Sequence, residues 1–314
     1  MARLPFQHLS RRQALLAGTA LPFAASAFPS SAIAEADMMG HSFTRHHRFP
    51  LGAFEVTALL AGTQTRPDPH SIFGLNVSEE EFARVAEAHF IPTDRAQFFF
   101  TPVVVNTGTE LVLFDTGTDA EGITTALQDA GHAPDQIDVV VLTHMHGDHI
   151  GGLMRDGVRT FANARYVTGR VEHEHWAAAG NEGFNANVRP LGDDIRLIEG
   201  EDEVAPGITA IEAFGHTPGH LAFMLESEGA RLALIADTAN HFAWSVEHPD
   251  WEVRFDMDKM AAAETRRRIF GMLAQERIPF IGYHMPFPAL GYVAAEGEGF
   301  RYVPASYQMM LDGA

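Results

Sequence analysis

Along this chain, short apolar runs of strand length alternate with stretches of helical period. Residues 54–60 read as a strand. A helix start follows, with Ser78 as N-cap and Glu81 at the third helical position, the pattern of a capping box. Residues 102–106 and 110–114 are β-rich runs on either side of Thr107-Gly108-Thr109, which reads as a hairpin. Residues 123–130 have a helical pattern that Gly131 ends. Residues 137–142, apolar except for Asp138, form a run suited to a strand buried on both faces. The theme repeats at 195–198, 208–213, 221–225 and 232–236. The longest helical stretch is 257–275, and a short strand is expected at 280–283. Residues 35–50, with His41, His46 and His47, read as a loose lead-in. No short-period repeat and no internal linker interrupt the rest. The pattern predicts an α/β (α+β) chain whose single domain, 51–314, is a four-layer αββα sandwich.

Chemistry enters directly after the buried strand, in Thr143-His144-Met145-His146-Gly147-Asp148-His149. Three imidazoles and a carboxylate lie within six residues, a donor set suited to zinc or a similar divalent ion. His144 and His146, two apart on extended chain, leave on one side. Gly147 permits a turn, after which Asp148 and His149 open a helix and point elsewhere. Two ligands for one ion and two for a neighbour is the natural division.

Composition narrows the partners. With 41 acidic against 22 basic residues, the formal net charge is −19, which argues against nucleic acid as a substrate. The chain has no cysteine, which removes disulfides, thiolate metal sites and cysteine nucleophiles. Ser10-Arg11-Arg12-Gln13, the apolar run 14–27 and Ala32-Ile33-Ala34 together read as a twin-arginine-type export signal over residues 1–34. A periplasmic or exported protein is expected. The apolar run, broken by Gly18 and Pro22, is too short to span a bilayer, so no stable membrane insertion is expected once the signal is removed. Monomer and homodimer both stay open.

The order of the remaining motifs resembles the metallo-β-lactamase superfamily. Gly215-His216-Thr217-Pro218-Gly219-His220 is similar to that family's second motif, Leu234-Ile235-Ala236-Asp237 to its third, and Gly282-Tyr283-His284 to its last. The resemblance runs from Phe54 to about Tyr307. It implies a first ion held by His144, His146 and His216, and a second held by Asp148, His149 and His284. Asp237 would bridge the two. Two divalent ions are then expected, zinc first, with manganese, iron or cobalt also suited to these donors. Asp148 and Asp237 become the candidate catalytic carboxylates. The implied chemistry is hydrolysis of an ester-type bond by a hydroxide shared between the ions. His220 is expected to brace a ligand by hydrogen bonding, and Asp115, in Asp115-Thr116-Gly117, to be structural or to play the same supporting part. His173 and His175, two apart on a helix, are expected at the surface, together with Glu172 and Glu174. Trp176, Phe184, Phe242 and Trp244 flank the ligand motifs and are candidates for the substrate pocket.

Within the superfamily the chain most resembles the methyl parathion hydrolase group. The cues are Gly52-Ala53-Phe54-Glu55-Val56-Thr57-Ala58-Leu59, His284-Met285-Pro286-Phe287-Pro288 and the tail 295–304. A small apolar substrate, an aryl ester or phosphotriester, is therefore expected. True β-lactamases of this fold usually place cysteine or serine where this chain has Asp237, which weakens that reading. Acyl-homoserine lactonases commonly carry tyrosine three residues after the bridging aspartate, where this chain has Asn240. Two further alternatives are an iron oxidoreductase on the same fold and a non-catalytic binding protein; the full ligand set argues against the second, and the bridging carboxylate favours a hydrolase over the first.

Overall fold

In the computed structural model, residues 37–40 and 42–308 are described, so the segment read as an export signal lies outside the described residues. The strand Val139–Leu142 shows why the chain builds layers. Val139 and Val141 belong to one buried apolar cluster, Val140 and Leu142 to another. A strand covered on both faces needs such an apolar run, and each fully buried side chain of this kind contributes ~1.5–3 kcal/mol. Asp138 stands just before the run and accepts a hydrogen bond from the Leu111 backbone N–H at 2.8 Å.

This strand lies inside a seven-stranded sheet, in the order His46–Leu51, Phe54–Leu59, Val103–Asn106, Leu111–Phe114, Val139–Leu142, Arg165–Gly169 and Ile195–Ile198. It runs parallel to both neighbours. A second seven-stranded sheet comprises Glu203–Ala205, Ile208–Glu212, Leu221–Ser227, Ala230–Ala236, Phe280–Gly282, Leu290–Glu296 and Gly299–Pro304. Val56, Val105 and Val141 of the first sheet share one core with Phe223, Leu225 and Leu234 of the second. The helix Ala120–Asp129 covers the outer face of the first sheet through Ile123 and Leu127. The helix Lys259–Glu276 joins the main core through Ile269, Phe270 and Leu273. The result is an αββα sandwich, and the described residues from Phe43 onward form one unit.

Two departures from the sequence pattern bear on function. The segment 46–50 is not a loose lead-in: His46–Leu51 is a strand paired antiparallel with Phe54–Leu59. Its inward positions Phe49 and Leu51 are buried, but His47 takes the third inward position and Pro50 an outward one, so the period of two is hidden. The strands Gly62–Pro67 and Arg95–Phe100 form a separate two-stranded ribbon. Phe98 and Phe100 of that ribbon pack with Phe73, Phe82, Trp244 and Tyr283 in a third apolar cluster. Among the described residues no helix is long and apolar enough to cross a membrane.

Candidate metal centre

Every ligand expected from the sequence emerges where a strand ends. His144 and His146 follow Val139–Leu142, and Asp148 and His149 sit on the short helix Gly147–Ile150. His216 lies in the loop between Ile208–Glu212 and Leu221–Ser227, Asp237 follows Ala230–Ala236, and His284 follows Phe280–Gly282. These ends converge. His144, His146, His216 and Asp237 form one group, and Asp148, His149 and His284 another, with the donor atoms of each group within 4.8 Å of one another. Although Asp237 is grouped with the first set, it reaches the second equally well. Its Oδ2 lies 3.2 Å from Nε2 of His216 and 3.2 Å from Nε2 of His284, and its Oδ1 lies 3.3 Å from Nε2 of His149. Asp237 therefore stands between the groups.

The residues fit metal ions on the polar groups they leave unpaired. Nε2 of His149 and Oδ1 of Asp237 are buried without a hydrogen-bond partner among the described residues. Orphaned buried donors and acceptors are costly, and convergent imidazole and carboxylate atoms are natural ligands for a divalent cation. Nε2 of His144 and of His216 also approach Nδ1 of His146, at 3.1 and 2.9 Å.

Most of the rings are aimed from behind. Nδ1 of His149 lies 2.8 Å from Oδ2 of Asp115, whose carboxylate also accepts from the Thr143 N–H and hydroxyl, both at 2.9 Å. Asp115 holds a left-handed backbone (φ 59°), and these three bonds fix it there. Nδ1 of His216 meets Oδ1 of Asp256 at 3.0 Å, and the buried Arg266 donates to the other oxygen at 2.8 Å. Nδ1 of His284 donates to the Phe99 carbonyl at 2.9 Å. Such contacts select the tautomer and leave Nε2 free to ligate. His220 uses both ring nitrogens on backbone: Nδ1 donates to the Ala213 carbonyl and Nε2 accepts from the Asp237 N–H, each at 3.1 Å. It braces Asp237 and has no nitrogen left for a metal.

Charge follows the same geometry. Burial works against the charged form of His216, but its bonds to Asp237 and Asp256 outweigh this and raise its pKa to about 9. Burial likewise opposes ionisation of Asp237, yet His284 and His149 hold its pKa well below the usual carboxylate range. His220 is pushed down to about 3 by burial and by the neighbouring His216.

The sequence pattern of the Metallo-beta-lactamase superfamily matches residues 101–279. The chain belongs to this superfamily. An N-acyl homoserine lactonase of Bacillus cereus is 29% identical over 168 residues, covering 53% of this chain and 63% of the relative, so the match spans less than two thirds of that relative's length. Among solved structures, the chain is similar in fold to AidC, described as a dizinc quorum-quenching lactonase. That likeness has a TM-score of 0.77 and 23% identity, over 83% of this chain and 97% of the other. It is also similar to AbOPH, described as a hydrolase in the beta lactamase superfamily, at a TM-score of 0.79 and 24% identity, over 85% of this chain and 99% of the other.

Superfamily members differ in what surrounds the ligands, and here the structure departs from the sequence reading. A cavity of about 190 Å³ opens on the two ligand groups, lined by Arg66, Phe98, Phe100 and Phe255 together with His146, Asp148, Asp237 and His284. None of the four aromatic residues expected in the pocket lines it. Phe184 is 1% exposed and packs in the core with Ile150 and Leu191, which removes it as a pocket residue. Trp176 lies edge-on to His146, with ring centroids 5.8 Å apart. Phe242 and Trp244 line a neighbouring cavity of about 360 Å³ that shares the His284 wall. The expected surface position of Glu172 is also wrong: the side chain is fully buried, because its carboxylate takes up four donors. His173 and His175 are half-buried and Glu174 is exposed. The residues missed by sequence reasoning are Glu172, Asp256, Arg66, Phe98, Phe100 and Phe255. Only the Phe98-Phe99-Phe100 run gave a local signal for any of them.

Proposed function

We propose that this chain is a two-metal hydrolase of ester-type bonds whose preferred substrates are neutral and apolar, aryl esters or phosphotriesters first. The observation that carries this reading is the pair of ligand groups joined at Asp237 beneath a cavity walled by Phe98, Phe100 and Phe255. His144, His146 and His216 would hold one divalent ion, Asp148, His149 and His284 the other, with Asp237 between them. Bound there, zinc (or manganese, iron or cobalt) would supply Lewis acidity and lower the pKa of water toward neutrality. Asp237, fixed by the His220 ring and by the Asn240 amide at 2.9 Å, is placed to orient a nucleophile or accept its proton. The phenyl rings exclude water and offer faces to an aromatic leaving group. A phenol of low pKa departs with little acid help, which suits a cavity lined, among the described residues, by a single arginine, Arg66, and no lysine.

A second reading, an acyl-homoserine lactonase, is favoured by the Bacillus cereus relative. Against it stands Asn240, where such lactonases commonly have tyrosine: its side chain is buried against Asp237 and presents no phenol to a substrate carbonyl. Export through the twin-arginine route stays part of the proposal on the strength of residues 1–34. The test is a comparison of kcat/KM on metal-analysed protein for an aryl phosphotriester, an aryl ester, an acyl-homoserine lactone and a penicillin. A clear preference for the lactone replaces the first reading with the second. A preference for the penicillin overturns both.

A further inference from the structure

We propose that Glu172 is a positioning residue that holds the first ligand group, His144, His146 and His216, in register by gripping both of their loops at once. The inference rests on the two-metal reading above. Glu172 sits in the first turn of the helix Arg170–Ala179 and is fully buried. Its Oε1 accepts from the Met145 backbone N–H at 3.0 Å and from the Trp176 indole N–H at 2.6 Å. Its Oε2 accepts from the Thr217 hydroxyl at 2.7 Å and from the Gly219 N–H at 2.9 Å. Met145 is the residue between His144 and His146. Thr217 and Gly219 follow His216. One carboxylate thus ties the two chain segments that supply all three histidines of this group, and through Trp176 it also fixes the ring lying edge-on to His146.

The backbone is shaped for this contact. A Cβ on Gly219 would lie 2.1 Å from the Glu172 backbone nitrogen, so only glycine lets the His216 loop approach the helix this closely. The second ligand group has its own supports, Asp115 on His149 and the Phe99 carbonyl on His284, and none of these touches Glu172.

Four donors facing two oxygens make a geometry that only a carboxylate completes, since it accepts at every position. Glutamine has the same shape but turns an NH₂ toward one pair of donors. The Thr217 hydroxyl can rotate to accept from it, but the Gly219 N–H cannot. Glu172→Gln therefore pushes the His216 loop away while leaving the volume filled.

The experiment titrates zinc into the metal-stripped full-length chain by chelator competition and locates the ions by anomalous diffraction. In Glu172→Gln one of the two zinc affinities should fall about 10–100-fold. The lost occupancy should map to His144, His146 and His216, while occupancy at Asp148, His149 and His284 stays. A merely structural glutamate would lower the melting temperature of the metal-free protein and leave the ratio of occupancies unchanged, which overturns the proposal. Thr217→Val, which removes a single donor, covers the case in which the glutamine variant does not fold; it should show a smaller loss at the same group, and no loss overturns the proposal. A wild-type chain that binds no zinc overturns the two-metal reading and this inference with it. A wild-type chain and a glutamine variant that bind two ions equally well overturn the Glu172 assignment alone.

Discussion

Nδ1 of His216 lies 3.0 Å from Oδ1 of Asp256, and neither side chain reaches solvent. The aspartate is held in turn by Arg266, which also donates to the Pro249 and Trp251 carbonyls. A candidate metal ligand is thus aimed by a buried ion pair that lies outside both ligand groups. Asp256→Ala should act twice. It strands the Arg266 charge in the interior, at a cost of about 3–5 kcal/mol, and it frees the His216 ring. Urea unfolding of the metal-free variant reads the first effect, and zinc titration reads the second. Unchanged stability would show that water or a shifted side chain replaces the carboxylate.

Asp237 gives a sharper contrast. Replacing it with asparagine keeps the shape but removes the charge shared by His216, His149 and His284. Asp237→Asn should leave the fold intact, weaken the second ion and lower turnover by about two orders of magnitude or more. His173→Ala should behave like wild type, since its half-buried ring meets Phe184 and no ligand. If the two variants behaved alike under saturating metal, the ligand assignment would be wrong.

The candidate ligand groups were legible in the sequence because four of their residues are written contiguously: His144 to His149 directly follow an apolar run suited to a buried strand. Val139–Leu142 and the strands 195–198 and 221–225 announced themselves in the same way. What stayed hidden was decided by contacts distant in sequence. Glu172, His173, Glu174 and His175 form a polar run that looks like a solvated helix face, and nothing in its spacing shows that the first turn meets a loop 45 residues later. Arg66 reaches the cavity on the ribbon Gly62–Pro67 with Arg95–Phe100, and Phe255 meets that ribbon there from a segment about 190 residues later, against Arg66 and Phe98. His46–Leu51 was lost for a local reason: His47 stands at an inward position and Pro50 interrupts the run.

Metal uptake should release protons. Without metal, His216 is raised to about 9, and His149 and His284 are raised as well; in all three, burial opposes the shift and the carboxylates around them win. Near neutral pH the His216 ring carries a proton that an incoming ion must displace, and the upward shifts of His149 and His284 act in the same direction. Apparent zinc affinity should therefore strengthen as pH rises from 6 toward 9, and each displaced proton contributes about tenfold per pH unit. Hydrolysis should be abolished by chelation and restored by added zinc more readily at pH 8 than at pH 6. Titrations buffered at several pH values measure the slope, and a pH-independent affinity would mean that the rings are already neutral before metal arrives.

The last prediction concerns the cavity wall. Phe98 and Phe100 are buried and serve the third apolar cluster, so removing either confuses packing with recognition. Phe255 is half-buried, and the guanidinium groups of Arg66 and Arg254 lie 5.7 and 5.4 Å from its ring centroid. Cations over the ring hold it in place while its remaining surface lines the cavity. An aromatic leaving group stacked there would gain about 0.5–1.5 kcal/mol beyond simple burial. Phe255→Ala should therefore lower kcat/KM for an aryl ester by roughly tenfold, with a smaller loss for an alkyl ester of similar volume. Two zinc ions should still bind, and the melting temperature should change little, because the ring is not part of a sealed core. An equal loss on aryl and alkyl esters would mean that Phe255 only supports its neighbour Asp256, and the preference for aromatic leaving groups would have to come from Phe98 or Phe100.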